Sequence, residues 1–171
     1  MSEKVAYVIR ELSGYLNENS GAPLGKKVLQ KICYLIERSG MDMDLDYRIH
    51  FYGPYSPTLN STLFRLESDG FINIDSSGTV HHITFTGKEI SLKPSLKENK
   101  LINYIIGKFG AKSAMELEVL TTTDFVAETI LKNPADNEIV DKVLEIKGRK
   151  FTEEQIKESI VILKAEKLLA S

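Results

Sequence analysis

The chain has 171 residues, 22 Lys and Arg against 24 Asp and Glu, a net charge of −2 and 42% hydrophobic residues. That length suits one domain, or one domain with an appended subdomain, and nothing in the balance marks a disordered, collagen-like or membrane-spanning chain. A pI near 6.0 removes the whole-protein electrostatic argument for nucleic acid, so any DNA contact has to come from a local patch.

The single cysteine, Cys33, rules out an internal disulfide and a cysteine-based zinc cluster. The first residues carry Glu3, Lys4, Arg10 and Glu11 with no long apolar run between them. No later stretch reaches the roughly 18 apolar residues of a spanning helix. A cytoplasmic protein is expected, with no signal peptide and no membrane partner.

Val5, Ile9, Leu12 and Leu16 fall at helical spacing, and Gly21 stops that run. A second helix opens near Leu24 and continues through Leu29, Ile32, Cys33 and Ile36 to Ser39-Gly40, with Lys26, Lys27 and Lys31 mostly off its apolar stripe. An acidic connector over 41–46 leads to a β-like run, Tyr47-Arg-Ile-His-Phe-Tyr52, which Gly53-Pro54 breaks. Ser56 then sets up an N-cap with Pro57 at the first helical position, and Leu59, Leu63 and Leu66 give the third helix its buried face. Phe71–Ile74 and Thr79–Phe85 read as a hairpin about Asp75-Ser-Ser-Gly78.

Everything after Pro94 is helical in pattern, in four segments. The last opens with the capping box Thr152-Glu-Glu-Gln155, and Phe151 and Ile156 stand at the two positions of a hydrophobic staple. The order α-α-β-α-β-β followed by helices predicts a mainly α (α+β) fold. Residues 1–90 form a winged-helix-like domain with a small β-hairpin, and 91–171 a helical extension packed on it.

Motifs for catalysis and ligands fail on spacing. Ser20-Gly-Ala-Pro-Leu-Gly25-Lys26-Lys27 lacks the first glycine and the terminal hydroxyl of a phosphate loop. Asp42, Asp44 and Asp46 match the start of a calcium loop, but its sixth and twelfth positions are Tyr47 and Gly53. Cys33 lies on an apolar helix face, where a thiol stays protonated. His50, His81 and His82 share no metal spacing, and His81 and His82 point to opposite faces of a strand. No catalytic residue, cofactor or metal is expected, and the chain reads as no enzyme.

Tyr47-Arg-Ile-His-Phe-Tyr-Gly-Pro-Tyr-Ser-Pro-Thr-Leu59 is the densest aromatic stretch. Its prolines stiffen the backbone and Gly53 opens a conformation closed to other residues. It serves either as a rigid corner feeding the third helix or as a preformed aromatic contact surface, with Tyr47, His50, Tyr52 and Tyr55 as the partner-binding residues.

Lys27-Val-Leu-Gln-Lys-Ile-Cys-Tyr-Leu-Ile-Glu followed by Phe51-Tyr-Gly-Pro-Tyr-Ser-Pro-Thr-Leu resembles the YwgA-like group of bacterial and archaeal proteins. More distantly, the chain is similar to the Panacea antitoxin domain, where a Lys-Leu-Gln-Lys helix also leads to a Tyr-Gly-Pro turn. Leu120-Thr-Thr-Thr-Asp and Lys150-Phe-Thr-Glu-Glu-Gln-Ile look like the YwgA-like helical tail. The first resemblance implies no assigned activity; the second implies a non-enzymatic protein that binds a partner, often a toxin.

The preferred expectation is therefore a regulatory protein-binding module, antitoxin-like, with a protein partner and with homodimerisation left open. The alternative is a winged-helix transcription regulator contacting DNA phosphates through Lys26, Lys27, Lys31 and Arg65. Two points count against DNA. About 17 residues separate the second and third helices, where a helix-turn-helix uses three or four. The third helix also offers only Arg65, beside Glu67 and Asp69.

Overall fold

The computed structural model describes residues 2–132 and 134–170. In chain order the elements are α1 (Ser2–Asn19), β1 (Leu24–Gly25), α2 (Lys26–Arg38), β2 (Arg48–His50), β3 (Gly53–Tyr55), α3 (Pro57–Ser68), β4 (Ile72–Asp75) and β5 (His82–Phe85). There follow α4 (Leu96–Phe109), α5 (Ala114–Phe125), a π-helical stretch (Val126–Leu131), α6 (Asp136–Lys147), a 3-10 turn (Gly148–Lys150) and α7 (Glu153–Ala165). The fold is mainly α with small antiparallel strands, as the periodicity predicts. Among the described residues no helix is long and apolar enough to cross a membrane.

Two compact units result. Unit 1 comprises Met1–Tyr47 and Ser56–Ala114; unit 2 comprises Arg48–Tyr55 and Met115–Ser171. The sequence reading divides the chain at 90 instead. The later boundary has a physical reason: Ile102, Ile105, Ile106 and Phe109 make one buried face of α4, and α4 packs on α1 and α2.

In unit 1 the apolar positions of α1 (Val5, Ile9, Leu12, Leu16) are all buried, and α1 packs on α3, α4 and β5. The sheet has the order β1-β5-β4. Leu24 lies opposite Ile83, and Ile74 opposite Ile83 on the other side. The two-residue strand β1 precedes α2, where the sequence reading has helix. Helix α3 starts as its residues dictate: the Ser56 side chain accepts the Leu59 N–H at 2.8 Å with Pro57 in the first turn. Between α2 and Tyr47 the chain alternates, Met41, Met43 and Leu45 buried and Asp42, Asp44 and Asp46 exposed. The half-buried Glu37 carboxylate holds this stretch by accepting the N–H groups of Met43 (3.3 Å) and Leu45 (3.1 Å).

Unit 2 has its own core of Val119, Val126, Ala127, Ile139, Val140, Val143, Phe151, Ile156 and Ile160. The capping box forms as read: Thr152 Oγ1 accepts from Gln155 N and Gln155 Oε1 accepts from Thr152 N. One helix over 113–132 is expected from periodicity, but the α-helix gives way to a π-helical stretch after Phe125. The Thr121 and Thr123 hydroxyls donate to the Leu117 and Val119 carbonyls at 2.7 and 2.8 Å. Such back-bonding competes with the helical ladder and bends it.

Candidate functional site

The aromatic stretch builds a hairpin rather than a strand ended by a corner. Arg48 faces Tyr55, Ile49 faces Pro54 and His50 faces Gly53, leaving Phe51 and Tyr52 as a two-residue tip. The turn back is possible because Gly53 has φ +83°, a region that costs a side chain-bearing residue about 1–2 kcal/mol. Space enforces glycine as well. A Cβ at position 53 would lie 2.7 Å from Thr122 Oγ1 and 3.3 Å from Glu118 Cγ. Helix α5 therefore touches the hairpin backbone directly.

A buried ion pair fixes the tip from the other side. Lys147, at the end of α6, donates from Nζ to the carbonyls of His50 (3.1 Å) and Phe51 (2.6 Å) and to Glu118 Oε1 (3.2 Å). Its side chain is 4% exposed and that of Glu118 6%. Burial pulls the Lys147 ammonium below the usual lysine range, and the Glu118 carboxylate partly restores it. Lys150 adds a second ammonium at 2.7 Å from the same Glu118 oxygen. Its Nζ also lies 4.9 Å from the Phe51 ring centroid, 4.7 Å from that of Tyr52 and 6.0 Å from that of Phe151.

The result is an aromatic tip that faces solvent yet is held from behind. Phe51 is 69% exposed and Tyr52 41%, their rings edge to face at 4.9 Å. His50 is exposed and sits 5.3 Å from the half-buried Tyr55 ring, whose hydroxyl is pushed up by burial. Beside them lies an open groove of about 620 Å³ lined by Ile49, His50, Phe51, Ile146, Lys147 and Lys150.

The structure brings together His50, Tyr52 and Tyr55 but not Tyr47. Tyr47 belongs to unit 1, donates its hydroxyl to the Gln30 carbonyl at 3.3 Å and packs edge-on against Tyr34 at 5.1 Å. Burial raises its phenol well above the normal range. Its polar end is thus spent inside the fold, and its assignment as a contact residue is corrected. Gln30 explains why a glutamine stands in the Lys-Val-Leu-Gln-Lys stretch: its buried amide donates to Ser56 O at 3.1 Å and accepts from Ser56 N at 3.0 Å. It pins the entry to α3 like a paired strand residue. Phe51, the most exposed ring of the hairpin, is absent from the residues picked by sequence, as are Glu118, Lys147 and Lys150. Periodicity carries no trace of the last three, which converge only in three dimensions.

The proposed phosphate contacts differ in exposure. Lys27 and Arg65 are exposed and Lys26 is half-buried, its Nζ 5.4 Å from the Phe64 ring. Lys31 is 3% exposed and is corrected, because a lysine enclosed by its own fold cannot reach a phosphate. Cys33 is fully buried and its thiol is pushed up by desolvation and by Glu37. Among the described residues no group of three or more His, Cys, Asp or Glu is arranged to hold a metal ion.

No protein-family model matches the chain. Over 149 residues it is 28% identical to the uncharacterised protein YwgA of Bacillus subtilis, covering 83% of this chain and 86% of that protein. This similarity supports the YwgA-like resemblance. A second relative is a DNA ADP-ribosyl glycohydrolase of Thermus aquaticus, 43% identical over 47 residues. That match takes in 28% of this chain and spans only 13% of the relative's length.

Proposed function

We propose that the chain is a non-enzymatic, antitoxin-like module that docks a protein partner on the tip of the β2–β3 hairpin, through His50, Phe51, Tyr52 and Tyr55. One observation carries this reading. Two aromatic rings are held out to solvent on a backbone whose carbonyls are clamped by a buried lysine. Such fixation contributes to the fold, and it also holds the tip in one conformation before any partner arrives. A contact surface gains affinity, because rigid aromatic side chains lose little entropy on binding and dominate interface energies.

The test is a double variant, Phe51→Ala/Tyr52→Ala, compared with wild type in affinity capture from the native host, with the product of each adjacent gene assayed directly. The variant should retain its circular dichroism spectrum and lose the neighbour-encoded partner. Retention of that partner at wild-type level would overturn the assignment.

A second reading is favoured by one arrangement in unit 1. Helix, short strand, two helices and a hairpin whose second strand pairs with the first strand, in the order β1-β5-β4, follow the connectivity of a winged helix. A DNA regulator would then use Lys26, Lys27 and Arg65. Binding to random duplex DNA that falls steeply with salt supports it; absence of binding at low salt sinks it.

A further inference from the structure

The ring pair at the tip is not empty. Phe51 and Tyr52, with Phe151 further off and the Glu118 carboxylate behind, surround one ammonium, and that ammonium is the chain's own Lys150. Aromatic faces closed by a carboxylate are the chemistry that recognises alkylammonium groups. We propose that this is a recognition site for a lysine ammonium of the docking partner, occupied in the free protein by Lys150, which gives way on binding. The inference rests on the docking role of the hairpin and names what the partner contributes.

Three features allow the exchange without moving the fold. Lys150 ends a single 3-10 turn that opens at Gly148, a residue at φ +58°, and its side chain is 22% exposed. The Phe51 and Tyr52 rings beside it are open to solvent. When Lys150 leaves, Glu118 keeps Lys147 at 3.2 Å, so the buried carboxylate never loses its last cation. A tethered lysine competes as a high local concentration of ammonium, and an external cation sees only the fraction of molecules in which the site is vacant. Filled nine-tenths of the time, the site would bind an external ammonium about tenfold more weakly than the same site without its lysine.

The probe is n-butylammonium, the lysine side chain without its backbone, followed through the ring resonances of Phe51 and Tyr52 by NMR. Lys150→Ala should bind it at least about tenfold more tightly than wild type, and Phe51→Ala/Lys150→Ala and Tyr52→Ala/Lys150→Ala should lose that gain. Butanol, isosteric and uncharged, should not shift the rings. Equal affinity of wild type and Lys150→Ala, or a gain that survives in either ring variant, would overturn the proposal. Should Lys150→Ala fail to fold, titration of wild type decides: saturable ring shifts accompanied by release of the Lys150 side-chain resonances support exchange, and their absence refutes it. Capture of the partner by the hairpin does not depend on this result. A failed ammonium titration beside a successful capture experiment would remove the cation site and leave the docking role intact.

Discussion

Replacing Gly53 by alanine tests the central contact of the hairpin. Two costs add. The backbone sits at φ +83°, which an L-residue tolerates at about 1–2 kcal/mol. The new Cβ would also meet Thr122 Oγ1 at 2.7 Å and Glu118 Cγ at 3.3 Å. Neither neighbour yields easily. Thr122 is fully buried on α5, and a β-branched helical residue is stiff about χ1. Glu118 has its carboxylate held by Lys147 and Lys150. Overpacking of this kind costs about 1–3 kcal/mol. The total expected for Gly53→Ala is therefore about 2–5 kcal/mol, or a fall in Tm of roughly 5–15 °C for a chain of this size.

The chain has no tryptophan, so urea unfolding is followed by far-UV circular dichroism and tyrosine fluorescence. The decisive comparison is Gly53→Ala/Thr122→Ala. Thr122 Oγ1 is buried without a hydrogen-bond partner, so Thr122→Ala forfeits no polar contact. In the double variant the clash with Thr122 should vanish while the backbone part and the Glu118 contact stay, recovering about 1–2 kcal/mol relative to additivity. If Gly53→Ala unfolds within about 0.5 kcal/mol of wild type, or Thr122→Ala gives no recovery, the contact between hairpin and α5 is not what demands glycine.

Other outcomes follow from the same geometry. Gln30→Ala leaves the buried Ser56 N–H without a partner and its carbonyl with the Asn60 N–H alone, so urea unfolding should show a loss of about 1–3 kcal/mol. Glu37 carries a carboxyl raised above its ordinary value of 4.5, mainly by burial and further by Asp42 and Asp44. In the window just above 4.5 the folded state then holds more protons than the unfolded, and Glu37 makes stability fall as pH rises. Glu37→Gln keeps an acceptor for Met43 and Leu45 and should flatten that slope in stability measured from pH 4 to 7. An unchanged slope would count against a raised carboxyl. Phe51→Ser and Tyr52→Ser, at an exposed tip, should each change stability by no more than about 0.5 kcal/mol, and a larger loss in urea would make the rings structural.

The sequence was legible where a local rule decides the outcome. Ser56-Pro57 and Thr152-Glu-Glu-Gln155 specify helix starts through bonds that span three residues, and both formed. Leu59, Leu63 and Leu66 announce a buried face by spacing alone, and all three are buried. The hairpin was less legible because its turn lacks the Asn-Gly or Asp-Gly signal of a two-residue loop. Phe51-Tyr52 looks like the middle of a strand, and Gly53 reads as the break when it is the first paired residue of β3. Lys31 was misplaced for a related reason: lysines are presumed solvated, and burial of one depends on partners distant in sequence. Glu118 and Lys147 stand 29 residues apart, and Lys147 stands 97 and 96 residues from His50 and Phe51, whose carbonyls it binds, separations that no periodicity reports.

The buried Lys147–Glu118 pair gives the final test, because its worth to stability and its worth to geometry are separable. Desolvation offsets most of the Coulombic gain of such pairs, so exchanging both members for apolar residues of similar size is often neutral, while removing one strands the other. Lys147→Met leaves Glu118 with Lys150 alone and frees the His50 and Phe51 carbonyls, which should cost about 2–4 kcal/mol. Glu118→Met/Lys147→Met should be the more stable of the two variants, within about 1–2 kcal/mol of wild type. Yet it no longer clamps the tip, so Phe51 and Tyr52 should gain motion in side-chain relaxation and partner capture should fall. A double variant that recovers stability and also captures the partner at wild-type level would show that the clamp serves folding alone. The rigidity argument for the docking surface would then fail.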